Sequence, residues 1–450
     1  MNSIVKKSLV ALLATLACGA AACGDSGGGP ATIDSMPPTP DSPGGEVDAA
    51  PPCDPTTAGT ICTIVGRGES GYSGEEGPAL EARLSLPQDV LLHPDGTLYI
   101  SDWNNHRIRS LTADGMIHHV AGRGELSGTG DDPSNTDLNH PTGMLLDETG
   151  TIMLIAAWHN SQIRQLDLTT GEIVNTCGDG RRAFFGEGMA ALTASLDLPA
   201  SIAWDPDHNL VVMDQANQVL RRIDSETGNI ARIAGRCVID SAVVCADGVD
   251  PVACPGSGAG KTTCGVPATE CSKPCTPKYA AGGVDTFRMA QPFGQSADPA
   301  GRIAFDVAGN LYFADTSNAI IRKIDGDGNV TIVAGTEPVA GAPQKGTSPD
   351  GTVATEALLN NPVDLAIAAD GTIYFTDTYN HCVRSVVPGA GGAAATIQTV
   401  AGVCGTAGYD GDGASPTTAH LKRPYGLELA GNTLYIADTG NNVIRALTLR

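Results

Sequence analysis

The chain has 450 residues, with 27 Lys and Arg against 50 Asp and Glu, so its net charge is −23 and a basic nucleic-acid-binding face is excluded. Only 17% of the residues are charged, while Gly (56) and Pro (29) are abundant, which excludes a helical bundle or a coiled coil. A hydrophobic content of 41% is sufficient to form a sizeable core, which excludes disorder throughout the chain.

Residues 1–22 are predicted to be an export signal. Two lysines precede an apolar stretch, residues 8–17, that is too short to span a bilayer as a helix. Small residues then lead to Cys23, which resembles the cysteine that is lipidated in bacterial lipoprotein signals. Two alternatives are lipidation of Cys18 and an ordinary cleaved secretory signal.

Residues 23–52 are predicted to be a disordered tether. The segment is rich in Pro, Gly and Asp and has few aromatic or branched residues, so it cannot form a packed core. The folded part, residues 53–450, is expected to begin near Cys53.

One motif, D-x-x-N-x-x-[IVL]-R, recurs through the folded part at intervals of roughly 60 residues. A sixth copy has Ala157 in the place of Asp, and the longer interval between the copies at Asp214 and Asp315 contains an insertion. The copies are Asp102/Asn105/Arg109, Ala157/Asn160/Arg164, Asp214/Asn217/Arg221, Asp315/Asn318/Arg322, Asp377/Asn380/Arg384 and Asp438/Asn441/Arg445.

The frame around each motif predicts four antiparallel strands. An L-x-x-P or M-x-x-P segment precedes the first strand, Asp-Gly-like turns join the strands, and the fourth strand ends in [VI]-A-G or a drifted form of it. Six such units predict an all-β, six-bladed β-propeller. The last unit lacks its fourth strand, and Thr63–Gly66 supplies a spare copy. The N-terminal strand is therefore predicted to complete the sixth blade and close the ring.

These repeats resemble the NHL-repeat family in its bacterial extracellular form. The loop at residues 68–80, echoed at residues 405–413, is similar to the linker between blades of that family. The family includes binding and scaffold proteins, RNA binders with basic faces, and an amidating lyase with a metal in its channel. The resemblance therefore implies a fold and leaves the function open.

The Asp and Asn side chains of the motif are interpreted as structural. Six near-identical copies around a ring cannot all contact one ligand, whereas Asp and Asn commonly hold tight turns by bonding to backbone. The Arg side chain is expected to lie along the blade surface with its stem packed.

The cysteines are typical of an oxidising compartment. Cys382 and Cys404 are predicted to form a disulfide, because antiparallel pairing of two strands in blade 5 places them opposite each other. A weaker pairing is Cys53–Cys62, and Cys177 is then the free buried thiol. Six further cysteines, in an insertion at 237–288 between blades 3 and 4, are expected to form three disulfides of unresolved connectivity, with a zinc knot as the alternative. They are Cys237, Cys245, Cys254, Cys264, Cys271 and Cys275.

The ligand site is predicted on the face that carries the L-x-x-P loops, at the mouth of the channel, where the long loops lie. Two residues after each proline, three blades have Asp89, Ser201 and Asp364; the other three have Gly143, Gly294 and Gly426. The two carboxylates are candidates for a cation, with Ca²⁺ or Zn²⁺ possible, or for a polar ligand. The alternative is that each side chain caps a neighbouring backbone N–H.

The preferred function is a non-catalytic binding or scaffold module tethered to the cell envelope, with an envelope protein, a glycan or a small molecule as ligand. No cofactor and no nucleic acid are expected, and the membrane is contacted only through the lipid on Cys23, at the outer membrane or cell surface. A secreted or periplasmic location is the alternative. A metal-dependent lyase or lactonase with its site at the channel mouth is the rival function, and a purely structural envelope component is the third.

Overall fold

The computed structural model describes residues 53–124, 138–236, 278–294 and 297–449. The predicted signal with Cys23, the predicted tether and the six cysteines between 237 and 275 lie outside these residues. Within them the protein is an all-β ring of six antiparallel sheets, as the repeats predicted.

Each sheet is one blade of four antiparallel strands, and short extra strands extend blades 1 and 3. Blade 1 contains β3 (Asp89–Leu92), β4 (Leu98–Asp102), β5 (Arg107–Leu111), β6 (Met116–Ala121) and the edge strand β2 (Gly77–Pro78). Blade 2 contains β7 (Pro141–Leu146), β8 (Ile152–Ala157), β9 (Gln162–Asp167) and β10 (Ile173–Cys177). Blade 3 contains β12 (Pro199–Trp204), β13 (Leu210–Asp214), β14 (Val219–Ile223), β15 (Asn229–Ala234) and the edge strand β11 (Met189–Ala190).

The other three blades repeat this order, from the innermost strand outwards. Blade 4 contains β16 (Ile303–Phe305), β17 (Leu311–Asp315), β18 (Ile320–Ile324) and β19 (Val330–Ala334). Blade 5 contains β20 (Pro362–Ile367), β21 (Ile373–Asp377), β22 (Cys382–Val387) and β23 (Thr396–Ala401). Blade 6 contains β24 (Leu427–Ala430), β25 (Thr433–Asp438), β26 (Val443–Thr448) and, as its outer strand, β1 (Ile61–Val65).

The ring is closed by the N-terminal strand. β1 pairs antiparallel with β26, with Ile61 opposite Leu447 and Thr63 opposite Arg445. The innermost strands of blades 6 and 1, β24 and β3, are also in contact. The predicted closure is therefore confirmed, and it leaves the outer edge of β26 paired.

Short 3₁₀ turns join the second and third strands of most blades. The residue after each turn is left-handed, for example His106 with φ 55° and His381 with φ 60°. These turns are Trp103–Asn105, Trp158–Asn160, Thr316–Asn318, Thr378–Asn380 and Thr439–Asn441. Further 3₁₀ turns lie at Ala79–Glu81, Ala191–Thr193, Ala354–Glu356, Ala390–Gly392 and Pro416–Thr418.

The repeated motif holds this turn in place. In blade 1 the Asp102 carboxylate accepts the backbone N–H of Ser85 at 2.8 Å and the Asn105 amide at 2.8 Å. Arg109 donates to the same carboxylate at 3.3 Å. The expectation that this arginine lies on the blade surface is wrong: the Arg109 side chain is fully buried. The buried Asp102 carboxylate needs a neighbouring cation, which Arg109 supplies. Nε of Arg109 also lies 2.8 Å from Oε1 of Glu75, in the loop that covers the blade.

The hydrophobic core lies between neighbouring blades. One cluster contains Ala314 and Ile321 of blade 4 together with Phe375 and Ile397 of blade 5 and Leu359 before it. Alternating apolar residues of each strand supply both faces of the sheet, so every blade packs against two others.

Cys382 and Cys404 form the predicted disulfide, with their Cα atoms 5.1 Å apart. Cys53 and Cys62 are each disulfide-bonded. Among the described cysteines Cys177 is free and buried, as expected, and burial raises the pKa of its thiol to about 12.

Candidate functional site

Six residues in the same register form a ring at the start of the innermost strands. Each lies opposite the residue that precedes the motif Asp or its Ala157 replacement; in blade 1, for example, Asp89 pairs with Ser101. In blade 4 the residue in this register is Arg302, because its carbonyl accepts the N–H of Ala314, the residue that precedes the motif Asp315. The prediction that Gly294 holds this position is therefore wrong, because extra residues separate Pro292 from β16. The axial ring is Asp89, Gly143, Ser201, Arg302, Asp364 and Gly426.

The three predicted site residues each cap the next blade around the ring. Asp89 of blade 1 accepts the N–H of Met144 of blade 2 at 2.8 Å. Ser201 of blade 3 accepts the N–H of Ile303 at 3.2 Å, and Asp364 of blade 5 accepts that of Leu427 at 2.9 Å. This is the capping geometry that the sequence left as an alternative.

Arg302 joins this ring from the opposite side. Its Nη1 lies 3.1 Å from Oδ2 of Asp89, and its Nη2 donates to the Gln88 carbonyl at 3.1 Å. Blades 1 and 4 are diametrically opposed in a six-bladed ring, so the side chain crosses the axis. The guanidinium passes Gly143 so closely that a Cβ there would lie 2.7 Å from Nη1.

The axial carboxyl groups lie in a strongly desolvated environment. Burial raises the pKa of Asp89, against the opposing effect of Arg302. Burial, with a further contribution from the Asp89 charge, raises the pKa of Asp364 to about 7. Burial, with a further contribution from the Asp89 charge, raises the pKa of Glu428, two residues after Gly426 of the axial ring, to about 8. The Arg302 guanidinium thus acts on two of these carboxyl groups, Asp89 and Asp364, and part of the set is neutralised by protons near neutral pH.

The geometry gives these carboxylates a cation from the chain itself. Asp89 contacts Arg302, and the charge of Arg302 also stabilises ionised Asp364. Within the described ranges there is no group of three His, Cys, Asp or Glu side chains arranged to hold a metal ion.

The face with the L-x-x-P loops carries a second set of side chains, around the end of the propeller axis that we call the mouth. The 3₁₀ turns pack on these loops through backbone hydrogen bonds, for example from Asn104 to Ser85 and from Tyr379 to Asn360. The residue before the proline is left-handed in several blades, including His140 with φ 56° and Arg423 with φ 49°. The same repeat positions therefore present side chains of different chemistry at the mouth.

On blades 1 and 2 these side chains form an aromatic cluster of Trp103, His106, His140, Trp158 and His159. The His140 ring lies 4.2 Å from the Trp103 ring and 4.6 Å from the His159 ring, centre to centre. Burial and the neighbouring imidazoles lower the pKa of His140 to about 2, so it is neutral. The Trp103 indole N–H is buried and has no hydrogen-bond acceptor among the described residues.

On blades 5 and 6 the mouth carries a polar cluster of Tyr379, Arg423 and Tyr425. Asp298 contacts this cluster: it lies in the extra segment of blade 4, and its Oδ2 accepts the Tyr379 hydroxyl at 2.6 Å and Arg423 Nη2 at 2.9 Å. Arg423 Nη2 also donates to the Tyr425 hydroxyl at 2.7 Å. The neighbouring Ala297 packs with Trp103 and Trp158, so this segment links the two clusters.

The sequence predicted a ligand site on this face, which stays a prediction, and did not single out the side chains that form these clusters. Arg302, Asp298 and Arg423 lie outside the repeated motif, so that motif gives no signal for them. A usable signal was present: the positions just before each L-x-x-P proline differ from blade to blade, whereas structural positions repeat.

Comparison with known proteins agrees with the fold. The family described as the teneurin NHL domain matches residues 275–387. Protein SUPPRESSOR OF QUENCHING 1, chloroplastic, of Arabidopsis thaliana is 26% identical over 314 residues, covering 69% of this chain and 25% of that protein. Mouse teneurin-1 is 24% identical over 318 residues, covering 64% of this chain and 10% of that protein. The chain thus spans a small part of these relatives.

Among solved structures, an auxiliary nutrient binding protein from Bacteroides thetaiotaomicron superimposes with a TM-score of 0.54 at 15% identity, covering 86% of this chain and 75% of that one. A protein described in the same words from Bacteroides ovatus gives a TM-score of 0.52 at 13% identity, with the same coverage. At such identities the likeness concerns the fold.

The disulfides fit an exported protein. In the described ranges, no helix has the length and apolar character needed to cross a membrane. Together, the repeats, the family match and the six blades support an NHL-repeat β-propeller.

Proposed function

We propose that this protein is a non-catalytic binding module of the cell envelope that takes a small ligand at the channel mouth. One observation carries the proposal. The aromatic cluster of blades 1 and 2 and the polar cluster of blades 5 and 6 both adjoin the same segment of blade 4, at Ala297 and Asp298. A mouth with apolar walls and a few convergent polar groups is the usual form of a ligand site.

The partial exposure of the Arg423–Asp298 pair supports the proposal. The Arg423 side chain is 27% exposed and that of Asp298 is 43% exposed, although both belong to a hydrogen-bonded cluster. Phe293, at the start of the same segment, is 47% exposed, which is unusual for a large apolar side chain. By contrast, the axial ring below is buried and its polar groups are engaged in contacts within the protein.

The binding test is a thermal-shift survey of small sugars, amino acids and organic acids on the purified propeller, followed by calorimetry on each compound that raises the melting temperature. Trp103→Ala and Tyr379→Phe are expected to weaken binding about tenfold or more. Val307→Ala, on the turn between β16 and β17 at the opposite end of the channel, is the matched control. Compounds that bind equally well to all three variants would contradict a site at the mouth.

The rival enzymatic function is tested on the same sample. Stoichiometric metal in the purified protein, removed with loss of compound binding, would favour the metal-dependent lyase or lactonase instead.

Envelope attachment is a separate part of the proposal and rests on the resemblance of the sequence around Cys23 to a lipoprotein signal. Metabolic labelling with a radioactive fatty acid in a bacterial host is expected to label the wild type and Cys18→Ser but not Cys23→Ser. Equal labelling of Cys23→Ser would contradict the anchor.

A further inference from the structure

The polar cluster at the mouth is built by two blades, and the carboxylate in it comes from a third. Tyr379 belongs to the 3₁₀ turn of blade 5, and Arg423 and Tyr425 flank the L-x-x-P proline of blade 6. The Arg423 backbone N–H is held by Nδ1 of His381 at 3.1 Å, and its guanidinium lies over the Tyr379 ring at 4.7 Å. The repeat frame therefore positions this cation without any help from Asp298.

Asp298 reaches the cluster from the extra segment between Pro292 and β16. In blades 2, 3 and 5 the corresponding proline is itself the first residue of the innermost strand. Blade 4 alone, among the blades described, has a long segment at this point, and that segment brings a carboxylate to the mouth. The pair that results is about one-third exposed, and exposed ion pairs of this kind contribute little to stability.

We propose that Arg423, Tyr379 and Tyr425 form a binding site for the carboxylate group of a small ligand, and that the Asp298 carboxylate occupies this site until the ligand displaces it. This inference rests on the proposed binding function and specifies the chemical class of the ligand. Arginine with neighbouring hydroxyl donors is a common carboxylate-binding arrangement, since charged hydrogen bonds are short and strong.

The state of the donors supports a site for an anion. Burial, with a contribution from Asp298, raises the pKa of Tyr379 to about 12, so its hydroxyl keeps its proton for donation. Asp298 engages the guanidinium only through Nη2, and the buried Nε of Arg423 has no hydrogen-bond partner in the described part of the chain. The Asp298 carboxylate therefore accepts from only part of the N–H donors of the Arg423 guanidinium.

The surroundings limit the rest of the ligand. Ala297, one residue before Asp298, belongs to the apolar cluster that contains Trp103 and Trp158, so apolar side chains adjoin the segment that supplies the carboxylate. This neighbourhood suits a ligand whose carboxylate is attached to a planar or apolar body. The net charge of −23 repels anions at long range, and it repels a small monoanion less than a large polyanion.

The experiment measures binding of benzoate, benzamide and inorganic phosphate by calorimetry at moderate salt. Benzoate is expected to bind the wild type weakly and Asp298→Asn about tenfold more tightly, because the internal competitor has lost its charge. Arg423→Gln should abolish benzoate binding. Benzamide, which has the same shape without the charge, should bind Asp298→Asn at least tenfold more weakly than benzoate does. Inorganic phosphate should also bind this variant at least tenfold more weakly than benzoate.

The matched control is Asp350→Asn. Asp350 is 48% exposed and lies 3.3 Å from Arg384, so this change removes a carboxylate from a comparable ion pair away from the mouth. It should leave benzoate affinity unchanged.

Benzoate affinity that is equal in the wild type and Asp298→Asn, or absent from both, would overturn the displaced-carboxylate site. So would equal binding of benzamide and benzoate to Asp298→Asn. None of these results would affect the broader binding proposal. That proposal is tested separately, by the effect of Trp103→Ala and Tyr379→Phe on compounds found in the thermal-shift survey and by the metal content of the protein.

Discussion

Arg302 of blade 4 contacts Asp89 of blade 1 across the propeller axis, with Nη1 3.1 Å from Oδ2 and both side chains buried. The pair ties together blades that are far apart in sequence and on opposite sides of the ring. Asp89 also accepts the Met144 N–H, so a single carboxylate joins three blades. The centre of the propeller is therefore held by an internal charge contact.

Replacing Arg302 by Met should destabilise the protein strongly. The change leaves Asp89 buried without its cation, and the loss of one member of a buried pair costs about 3–5 kcal/mol. Urea unfolding followed by tryptophan fluorescence measures the effect. Arg302→Met/Asp89→Asn should recover part of the loss, because Asn can still accept from Met144. A single variant as stable as the wild type would show that the pair contributes nothing.

Gly143→Ala should be destabilising because its Cβ would meet Arg302 Nη1 at 2.7 Å and the Ala200 carbonyl at 3.0 Å. The guanidinium would have to move off Asp89, at a cost of about 1–3 kcal/mol. Gly283→Ala is the control, since a Cβ there has no atom within 4 Å and the backbone is not left-handed. Both melting temperatures are read by calorimetry; equal values would refute the crowding at the axis.

The stability of the propeller should fall between about pH 4.5 and pH 8 through the axial carboxyl groups. Burial raises the pKa of Glu428 from 4.5 to about 8, so in this interval the folded state binds a proton that the unfolded state has released. Stability is then highest below the unfolded pKa and is lost as pH rises through the folded one.

Glu428→Gln should flatten this fall, so that the variant gains stability relative to the wild type as pH rises. Glu356→Gln, at an exposed glutamate, is the control and should follow the wild-type curve. Unfolding curves at several pH values test the slope, and a wild-type slope in Glu428→Gln would rule out this residue as its source.

Removing the closing strand should weaken the whole ring. Deletion of residues 1–66 removes β1, exposes the edge of β26 and takes away Ile61 and Val65, which are buried in the cores of blades 5, 6 and 1. A fall in melting temperature of about 10 °C or more is expected. Deletion of residues 1–52 keeps β1 and should change the melting temperature little. Identical melting temperatures for the two truncations would contradict the closure.

The sequence by itself determined the architecture of this protein, because the architecture repeats. Each copy of Asp102 and its equivalents must bond the same turn, and each strand must alternate apolar residues, so the pattern is visible six times. The unpaired fourth strand near Thr63 likewise predicted the closure. The pairing of Cys382 with Cys404 followed from strand register, which is local.

The tertiary structure decided everything that breaks the repeat. Arg302 takes the axial position that was predicted for Gly294, because the segment after Pro292 is longer in blade 4. The other repeats have no equivalent of this insertion, so the repeat pattern cannot align it. The contacts of Arg302 with Asp89, and of Asp298 with Arg423, join residues far apart in the chain. They exist only because ring closure brings blades that are not neighbours to one axis, and burial at that axis sets the ionisation of Asp364 and Glu428.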